Sequence, residues 1–392
     1  MKVLYISEIY PDPKTGVGVW GGGERQFYEI SRRVKSAQNG VKVLTCRFPK
    51  QASRDSVDGV EVLRQGLSRD PATGGVLKSP LGVLAYIART LSQALRADCD
   101  LIHCNAYYPI IAGRLASAFK GVPLVATVHD LPTAAEWGAH VGSRGWGAVG
   151  LLATRLSLML ADGPVICVSG RVKTKLLRAG RREVYVIPNG VDVTLFDAVE
   201  AQERSGQVLY VGRLVSYKHV DTLLAAFAEV LRRVPGSSLV VVGDGPERES
   251  LEAKAEELGV RDKVSFRGTV KSNLEVVKIY KESAVFVLPS VLEGEGLAVK
   301  EAMAARVPVV AVDSPGSGIA DVVKDGVNGY LVPPEEAGPM ADRVAGLLLD
   351  PGERARVGSE GRKDVERWTW DQATAETMSV YESALGGLGR RH

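Results

Sequence analysis

Cysteine is scarce. There are four in 392 residues, at Cys46, Cys99, Cys104 and Cys167, and none shares a C-x-x-C spacing. That excludes a disulfide framework and a cysteine-built zinc site, and it fits buried thiols in a reducing compartment. Long apolar runs are also missing. None reaches the roughly 18 residues of a membrane span, and the richest, residues 147–161, is broken by Thr154 and Arg155. The chain opens on Met1-Lys-Val-Leu-Tyr-Ile-Ser7, a strand-like segment and not a basic region followed by an apolar one, so no secretory signal is expected. Nor is there an excess of one charge: 49 Lys+Arg stand against 46 Asp+Glu. A general electrostatic footprint for nucleic acid is therefore absent. These absences point to a cytoplasmic protein.

What remains is ordinary globular composition, 45% hydrophobic and 24% charged, in a chain long for a single core. Two domains are expected. The first half alternates short Val/Ile/Leu runs (2–7, 41–46, 60–64, 101–104, 124–128, 165–168, 184–187) with helical stretches (24–35, 82–97, 110–119, 147–160, 172–179). Continuous apolar strands between helices imply a parallel sheet covered on both faces. The second half repeats the grammar with strands at 208–211, 238–242, 264–266, 285–288, 309–312 and 330–332. Two doubly wound α/β halves are expected, joined near Ile187-Pro-Asn-Gly-Val-Asp192 and the polar segment 198–206. Residues 354–385 read as helical, interrupted around Trp368-Thr-Trp370. They either complete the second half or return to the first.

The densest chemistry lies in Ser290-Val-Leu-Glu-Gly-Glu-Gly-Leu-Ala-Val-Lys-Glu-Ala-Met-Ala305. A strand, a polar turn and a helix ending before Pro308 follow in order. Glu293 falls at the carboxyl end of the strand, where open α/β sheets bind ligands. Glu301 falls one turn into an apolar helix, where a buried carboxylate needs a hydrogen-bonding partner. The two carboxylates suit a polyhydroxylated ligand; the plain alternative is a loop residue and a solvated strip. In Tyr210-Val-Gly-Arg-Leu-Val-Ser-Tyr-Lys218, Arg213 and Lys218 lie between the first strand and the first helix of the second half. Such a pair could hold a diphosphate, and as a departing diphosphate gains charge it would also accelerate the reaction.

Other motifs are weaker. Gly16-Val-Gly-Val-Trp-Gly21 satisfies G-x-G-x-x-G, but too far beyond the first strand for a dinucleotide fingerprint. Gly21-Gly-Gly-Glu24 at a helix start could admit an anion close to the backbone. In Val242-Gly-Asp-Gly-Pro-Glu247 the glycines suit a tight turn, and Asp244 could cap the next helix. His129, in Thr127-Val-His-Asp130, ends a strand and could exchange a hydrogen bond with a ligand hydroxyl. Asp98-Cys-Asp100 matches D-x-D but precedes its strand, the wrong end for a site, and no metal ligand set is expected.

Together these stretches resemble the retaining glycosyltransferases of family four, with the GT-B fold. The resemblance rests on Gly21–Glu24, His129-Asp130, Ile187–Asp192, Val211-Gly-Arg-Leu214 with Lys218, Val242–Gly245, and Glu293 with Glu301 in a Glu-x7-Glu motif. It implies two Rossmann-like doubly wound domains facing across a cleft. The first, 1–190 plus a C-terminal helix 372–392 that crosses back, would be the acceptor side; the second, 191–371, would bind the nucleotide sugar. By the same resemblance Arg213 and Lys218 bind the donor diphosphate, Glu301 the ribose hydroxyls and Glu293 the donor sugar. Gly22 and Gly23 approach the phosphate or sugar, His129 lies near the transferred sugar, and the backbone at Gly296 and Leu297 faces the diphosphate. The implied reaction is metal-independent, retaining transfer of a hexosyl group from a UDP-, GDP- or ADP-linked donor to a hydroxyl of a glycan, lipid-linked or small-molecule acceptor. No cofactor is implied.

Three departures stand out. Glu295 replaces an aromatic or small residue, an extra carboxylate that could repel a diphosphate or bind a different sugar group. Asp313-Ser-Pro-Gly-Ser-Gly318 with Asp321 replaces paired glycines followed by Glu, and the loop 8–19 is long, with two prolines. Rival readings are a sugar-nucleotide epimerase or phosphorylase, or a binding homologue with a degraded site. Arg25, Arg32, Arg33 and Lys35, with apolar faces at 82–97 and 147–160, suggest peripheral contact with an anionic membrane surface, at its inner face.

Overall fold

In the computed structural model, residues 1–12, 21–49, 51–65, 80–131 and 144–388 are described. The glycine motif 16–20 and most of the proline-bearing loop 8–19 lie outside them. The chain divides into two compact units, Met1–Gly190 with Trp370–His392, and Val191–Thr369.

The first unit holds an eight-stranded sheet: β1 (Lys2–Ile6), β2 (Gly40–Cys46), β3 (Arg54–Val57), β4 (Val60–Gln65), β5 (Leu101–Asn105), β6 (Leu124–Val128), β7 (Val165–Cys167) and β8 (Val184–Val186). The order is β3-β4-β2-β1-β5-β6-β7-β8, parallel except for the β3–β4 pair. Because side chains alternate along a strand, Leu4 and Ile6 enter one core while Val3 and Tyr5 enter the other. The Val3/Tyr5 side is covered by α1 (Gly22–Ser36) and the C-terminal helix Trp370–Leu388. The Leu4/Ile6 side is covered by α2 (Pro80–Arg96), α3 (Tyr107–Lys120), α4 (Arg144–Leu160) and α5 (Gly170–Arg178). The edge strand β3 is an addition to the sequence reading. Arg-Asp-Ser-Val carries little apolar signal, but Asp58 and Gly59, both at positive φ, turn the chain back on itself, the signature of a two-residue hairpin.

The C-terminal helix is locked to the first sheet by buried polar contacts. Tyr381 Oη lies 2.8 Å from Tyr5 Oη and 2.6 Å from His103 Nδ1, while His103 Nε2 meets Thr127 Oγ1 at 2.7 Å. Arg33 Nε donates to Asp371 at 2.8 Å. Arg32 and Arg33 also pair with Glu29. Those two cations thus have carboxylate partners inside the unit.

The second unit contains β9 (Arg204–Val211), β10 (Ser238–Val242), β11 (Val264–Gly268), β12 (Ser283–Leu288), β13 (Val309–Val312) and β14 (Tyr330–Val332). Its order is β11-β10-β9-β12-β13-β14, all parallel. This is the doubly wound 3-2-1-4-5-6 arrangement, which binds ligands where the order reverses, at the carboxyl ends of its first and fourth strands. Here those are β9 and β12. The helices are α6 (Val193–Ala198), α7 (Val220–Arg233), α8 (Arg248–Glu257), α9 (Asn273–Lys281), α10 (Leu297–Ala304), α11 (Ala337–Leu349) and α12 (Pro351–Val365), followed by the C-terminal α13 (Trp370–Leu388). The segment 198–206, read as linker, already contributes the start of β9. Residues 193–198 form a helix whose Asp192 cap accepts the Leu195 N–H. Among the described residues no helix is long and apolar enough to cross a membrane.

Candidate active site

Arg213 and Lys218 follow β9, and Glu293 follows β12, so all three stand at the second unit's switch point. The loop bearing the cations is braced from below. Gly212 N–H donates to Val242 O at 3.0 Å, and Leu214 N–H to Asp244 O at 3.0 Å. Gly243, at φ +125°, and Gly245 allow this, because a Cβ on either would enter the backbone of Gly212 or Leu214. The Gly-Asp-Gly motif is therefore a close-packing device beneath the Arg213 loop. Asp244 does not cap α8: its carboxylate takes the adjacent Gly245 N–H at 2.8 Å, and Glu247 stands at the N-cap without a side-chain bond.

Lys218 closes a single 3-10 turn, and its Nζ donates to Glu293 Oε1. Both side chains are only 14% and 13% exposed. The two loops are stitched at a second point, where Val291 N–H donates to Tyr217 O at 3.2 Å. Buried Tyr210 lies within electrostatic reach of the same groups. Burial raises its phenol well above the ordinary value, Glu293 adds to the rise, and Arg213 opposes it. Its hydroxyl donates to Arg213 O at 2.9 Å. The Arg213 guanidinium forms no hydrogen bond or ion pair among the described residues.

The acidic turn is held just as closely. Gly318 N–H donates to Glu293 O at 2.8 Å, so the substituted Asp313–Gly318 segment still supports the turn. Gly296 caps α10 at φ +85°, where a Cβ would run into Ile319 Cδ1; only glycine fits both constraints. Leu297 begins α10, whose first N–H groups have no intrahelical acceptor. Glu301 is half-buried, and Tyr280 Oη donates to its Oε2 at 3.0 Å.

Glu295 departs from expectation. It is 3% exposed and bonded to Lys300 Nζ, itself fully buried, five residues on. Lys300 Nζ also lies 4.3 Å from the centroid of the Trp368 ring. The carboxylate is neutralised inside the unit and does not present a free charge to a diphosphate. The sequence raised Glu295 alone because the matching lysine sits in the first turn of the helix that follows, where its aim is invisible without coordinates.

In the first unit, Gly22 and Gly23 start α1 and His129 follows β6. A Cβ on Gly23 would lie 2.8 Å from His129 Cδ2 and 3.0 Å from Nε2, so the missing side chain lets α1 meet the imidazole. A relay fixes the ring. Ser7 O–H donates to Ile9 O at 2.7 Å, Asn105 Nδ2 donates to Ser7 Oγ at 3.3 Å, and Asn105 Oδ1 meets His129 Nε2 at 2.8 Å. With Asn105 so oriented, Nε2 carries the proton and Nδ1 is left as an acceptor. Burial lowers the pKa of His129 to about 4, which keeps the ring neutral. Ser7 and Asn105 stand at the ends of β1 and β5, the first unit's own switch point. Asn105, Tyr210, Tyr280 and Lys300 were missed in the sequence because each acts through a partner distant in the chain or on another turn.

Asp98 and Asp100 are taken up by Lys2, at the amino end of β1. A surface cavity of about 550 Å³ lined by Glu200, Arg204, Lys278 and Glu282 lies at the amino end of β9, the opposite end from Arg213.

Comparison with known proteins agrees with this architecture. A family profile described as Glycosyl transferases group 1 matches residues 193–364, and one described as Glycosyltransferase Family 4 matches 20–195. An uncharacterised glycosyltransferase of Methanocaldococcus jannaschii is 32% identical over 309 residues, 74% of this chain and 77% of that one. A D-inositol 3-phosphate glycosyltransferase of Acidothermus cellulolyticus is 30% identical over 94% of this chain and 87% of its own. Among solved structures, sucrose-phosphate synthase from Thermosynechococcus elongatus superposes with a TM-score of 0.81 at 23% identity, covering 99% of this chain and 100% of its own. Anabaena HepE, solved with UDP and glucose, gives 0.74 at 22%, covering 97% and 99%. With two Rossmann-like units, each carrying its charged or glycine-bearing loops at the switch point, the chain belongs to the group 1, family 4 glycosyltransferases of the GT-B fold.

Proposed function

We propose that the enzyme transfers a hexosyl group from a nucleotide diphosphate sugar to an acceptor hydroxyl with retention of anomeric configuration. The observation that carries this reading is the placement of Arg213, Lys218 and Glu293 at one switch point, with the Arg213 guanidinium forming no bond among the described residues. Arg213 and Lys218 would take the diphosphate and neutralise the charge it gains on departure. Lys218 would exchange its bond to Glu293 for one to phosphate, freeing the Glu293 carboxylate to accept sugar hydroxyls. Glu301, already turned to a hydroxyl donor at Tyr280, has the chemistry to accept ribose hydroxyls. Neutral His129, with Nδ1 as an acceptor, would take a hydroxyl of the transferred sugar. Same-face attack with the departing phosphate oxygen removing the acceptor proton requires no protein nucleophile.

The reading of a degraded binding homologue rested on Glu295, and its support falls away because Lys300 satisfies that carboxylate. A relative solved with UDP-glucose makes UDP-sugars the first donors to try. Nucleotide release from UDP-, GDP- and ADP-sugars, with and without cell-extract acceptors, tests transfer against hydrolysis and epimerisation. The anomeric signal of the product by NMR tests retention, and turnover in chelator tests metal independence. Equal nucleotide release with and without acceptor would overturn the transferase reading.

A further inference from the structure

The helices α2, α3 and α4 lie side by side on one face of the first unit's sheet. Not one of them contains Asp or Glu. A surface helix ordinarily turns charged or polar residues outward. These turn apolar ones out. Leu84 and Leu95 project from α2, and Leu115 and Phe119 from α3. Leu152, Leu156 and Met159 follow at helical spacing along α4. These seven are the majority of the eleven large apolar side chains exposed among the described residues. Phe119 is 76% exposed and Met159 79%, so neither is a core residue grazing the surface. Scattered exposed leucines need no explanation, but a concentration on three neighbouring helices does.

The charge on this face has one sign. Arg89, Arg96 and Arg155 are exposed between the apolar side chains. Two acids just beyond the helix ends are engaged: Asp162 pairs with Arg114 at 2.9 Å, and Asp98 with Lys2 at 2.5 Å. A second copy of the same face would bring arginine against arginine with no carboxylate to answer it. The surface of an anionic bilayer answers both features. Its acyl boundary accepts Leu, Phe and Met, and its headgroups attract arginines within a Debye length.

We propose that α2, α3 and α4 form a docking face for an anionic phospholipid bilayer. The helix-bearing sheet face binds through partial insertion of Phe119, Leu152 and Met159 and through attraction to Arg89, Arg96 and Arg155. This stands on the helices alone and assumes nothing about the donor or the acceptor.

The test is co-sedimentation of the full chain with vesicles of phosphatidylcholine alone or of phosphatidylcholine with phosphatidylglycerol. The protein should pellet with the anionic vesicles at low salt and stay in solution with the neutral ones. Exchanging three surface arginines, R89A/R96A/R155A, should weaken partition to anionic vesicles roughly a hundredfold and remove most of its salt dependence. F119S/L152Q/M159Q should lose at least about tenfold while keeping the wild-type melting temperature and the same rate of nucleotide release in solution, because none of these residues lies in the donor site. Wild-type protein that stays in the supernatant with anionic vesicles overturns the proposal. So does an apolar triple variant that pellets like wild type, or a concentration-dependent dimer in the absence of vesicles that this variant abolishes.

Discussion

Lys218 and Glu293, 75 residues apart, form an ion pair that joins the loop after β9 to the loop after β12. Each supplies the other's counter-charge, and in the proposed reaction a donor's own charge and hydroxyls would take over that role. Lys218→Met or Glu293→Gln should each lower kcat about a hundred- to a thousandfold, with the circular dichroism spectrum unchanged. The double variant should lose far less than the product of the single losses, because the two act as a unit. Steady-state nucleotide release checks this, and near-normal rates in both single variants would remove these residues from the site.

The buried Glu295–Lys300 pair should behave as a matter of stability. Lys300→Met strands a carboxylate that is 3% exposed, and removing one partner of such a pair costs about 3–5 kcal/mol. Replacing both, as in E295L/K300M, should recover most of that loss. Urea denaturation of the two variants decides it; equal destabilisation would show that the pair is not coupled.

Gly23→Ala places a methyl group 2.8 Å from His129 Cδ2 and should push the ring off its Asn105 partner. Helix propensity favours alanine at this position, so little stability should be lost. With His129 at the transferred sugar, as proposed, a displacement of about an ångström would lower the rate by roughly a hundredfold. An unchanged melting temperature with a large fall in kcat/KM is the expected outcome.

Two histidines, His103 buried and His129 half-buried, make the protein acid-sensitive. Burial holds His129 near pKa about 4 and His103 near about 3, both below the ordinary 6.5. Between those values the unfolded chain binds more protons than the folded one, so stability rises with pH through this window. Their contribution is complete above about 6.5 and is lost progressively as pH falls toward the folded values. Urea midpoints measured from pH 7 down to pH 4 should fall, and more shallowly in His129→Gln.

Glu8, just past β1, has the opposite sign. Burial, aided by the nearby Glu24 charge, raises its pKa from 4.5 to about 7. Its contribution is complete below about 4.5 and is lost as pH rises through 7. Glu8→Gln should therefore raise the melting temperature at pH 8 and leave it unchanged at pH 4.

The sequence alone determined the alternation of strand and helix, because strands buried on both faces must be largely apolar, as β12 is: all six of its residues are buried and the five after Ser283 are apolar. It also placed Arg213, Lys218 and Glu293 at strand ends, since polar residues and glycine must follow where an apolar run stops. The hairpin at Asp58-Gly59 was legible in that dipeptide, yet its weak strand hid it. Only the tertiary structure decided who partners whom. That Lys218 meets Glu293, that Gly23 abuts His129 and that Lys300 neutralises Glu295 depend on side-chain direction and on strand order. Strand order in turn follows from which helix covers which face, a choice settled by packing across the sheet and not by any local run of residues. The outward apolar stripes of α2, α3 and α4 belong to the same class: the sequence offered apolar faces at 82–97 and 147–160, and only the sheet beneath them shows which side chains are core and which, among the described residues, stay exposed.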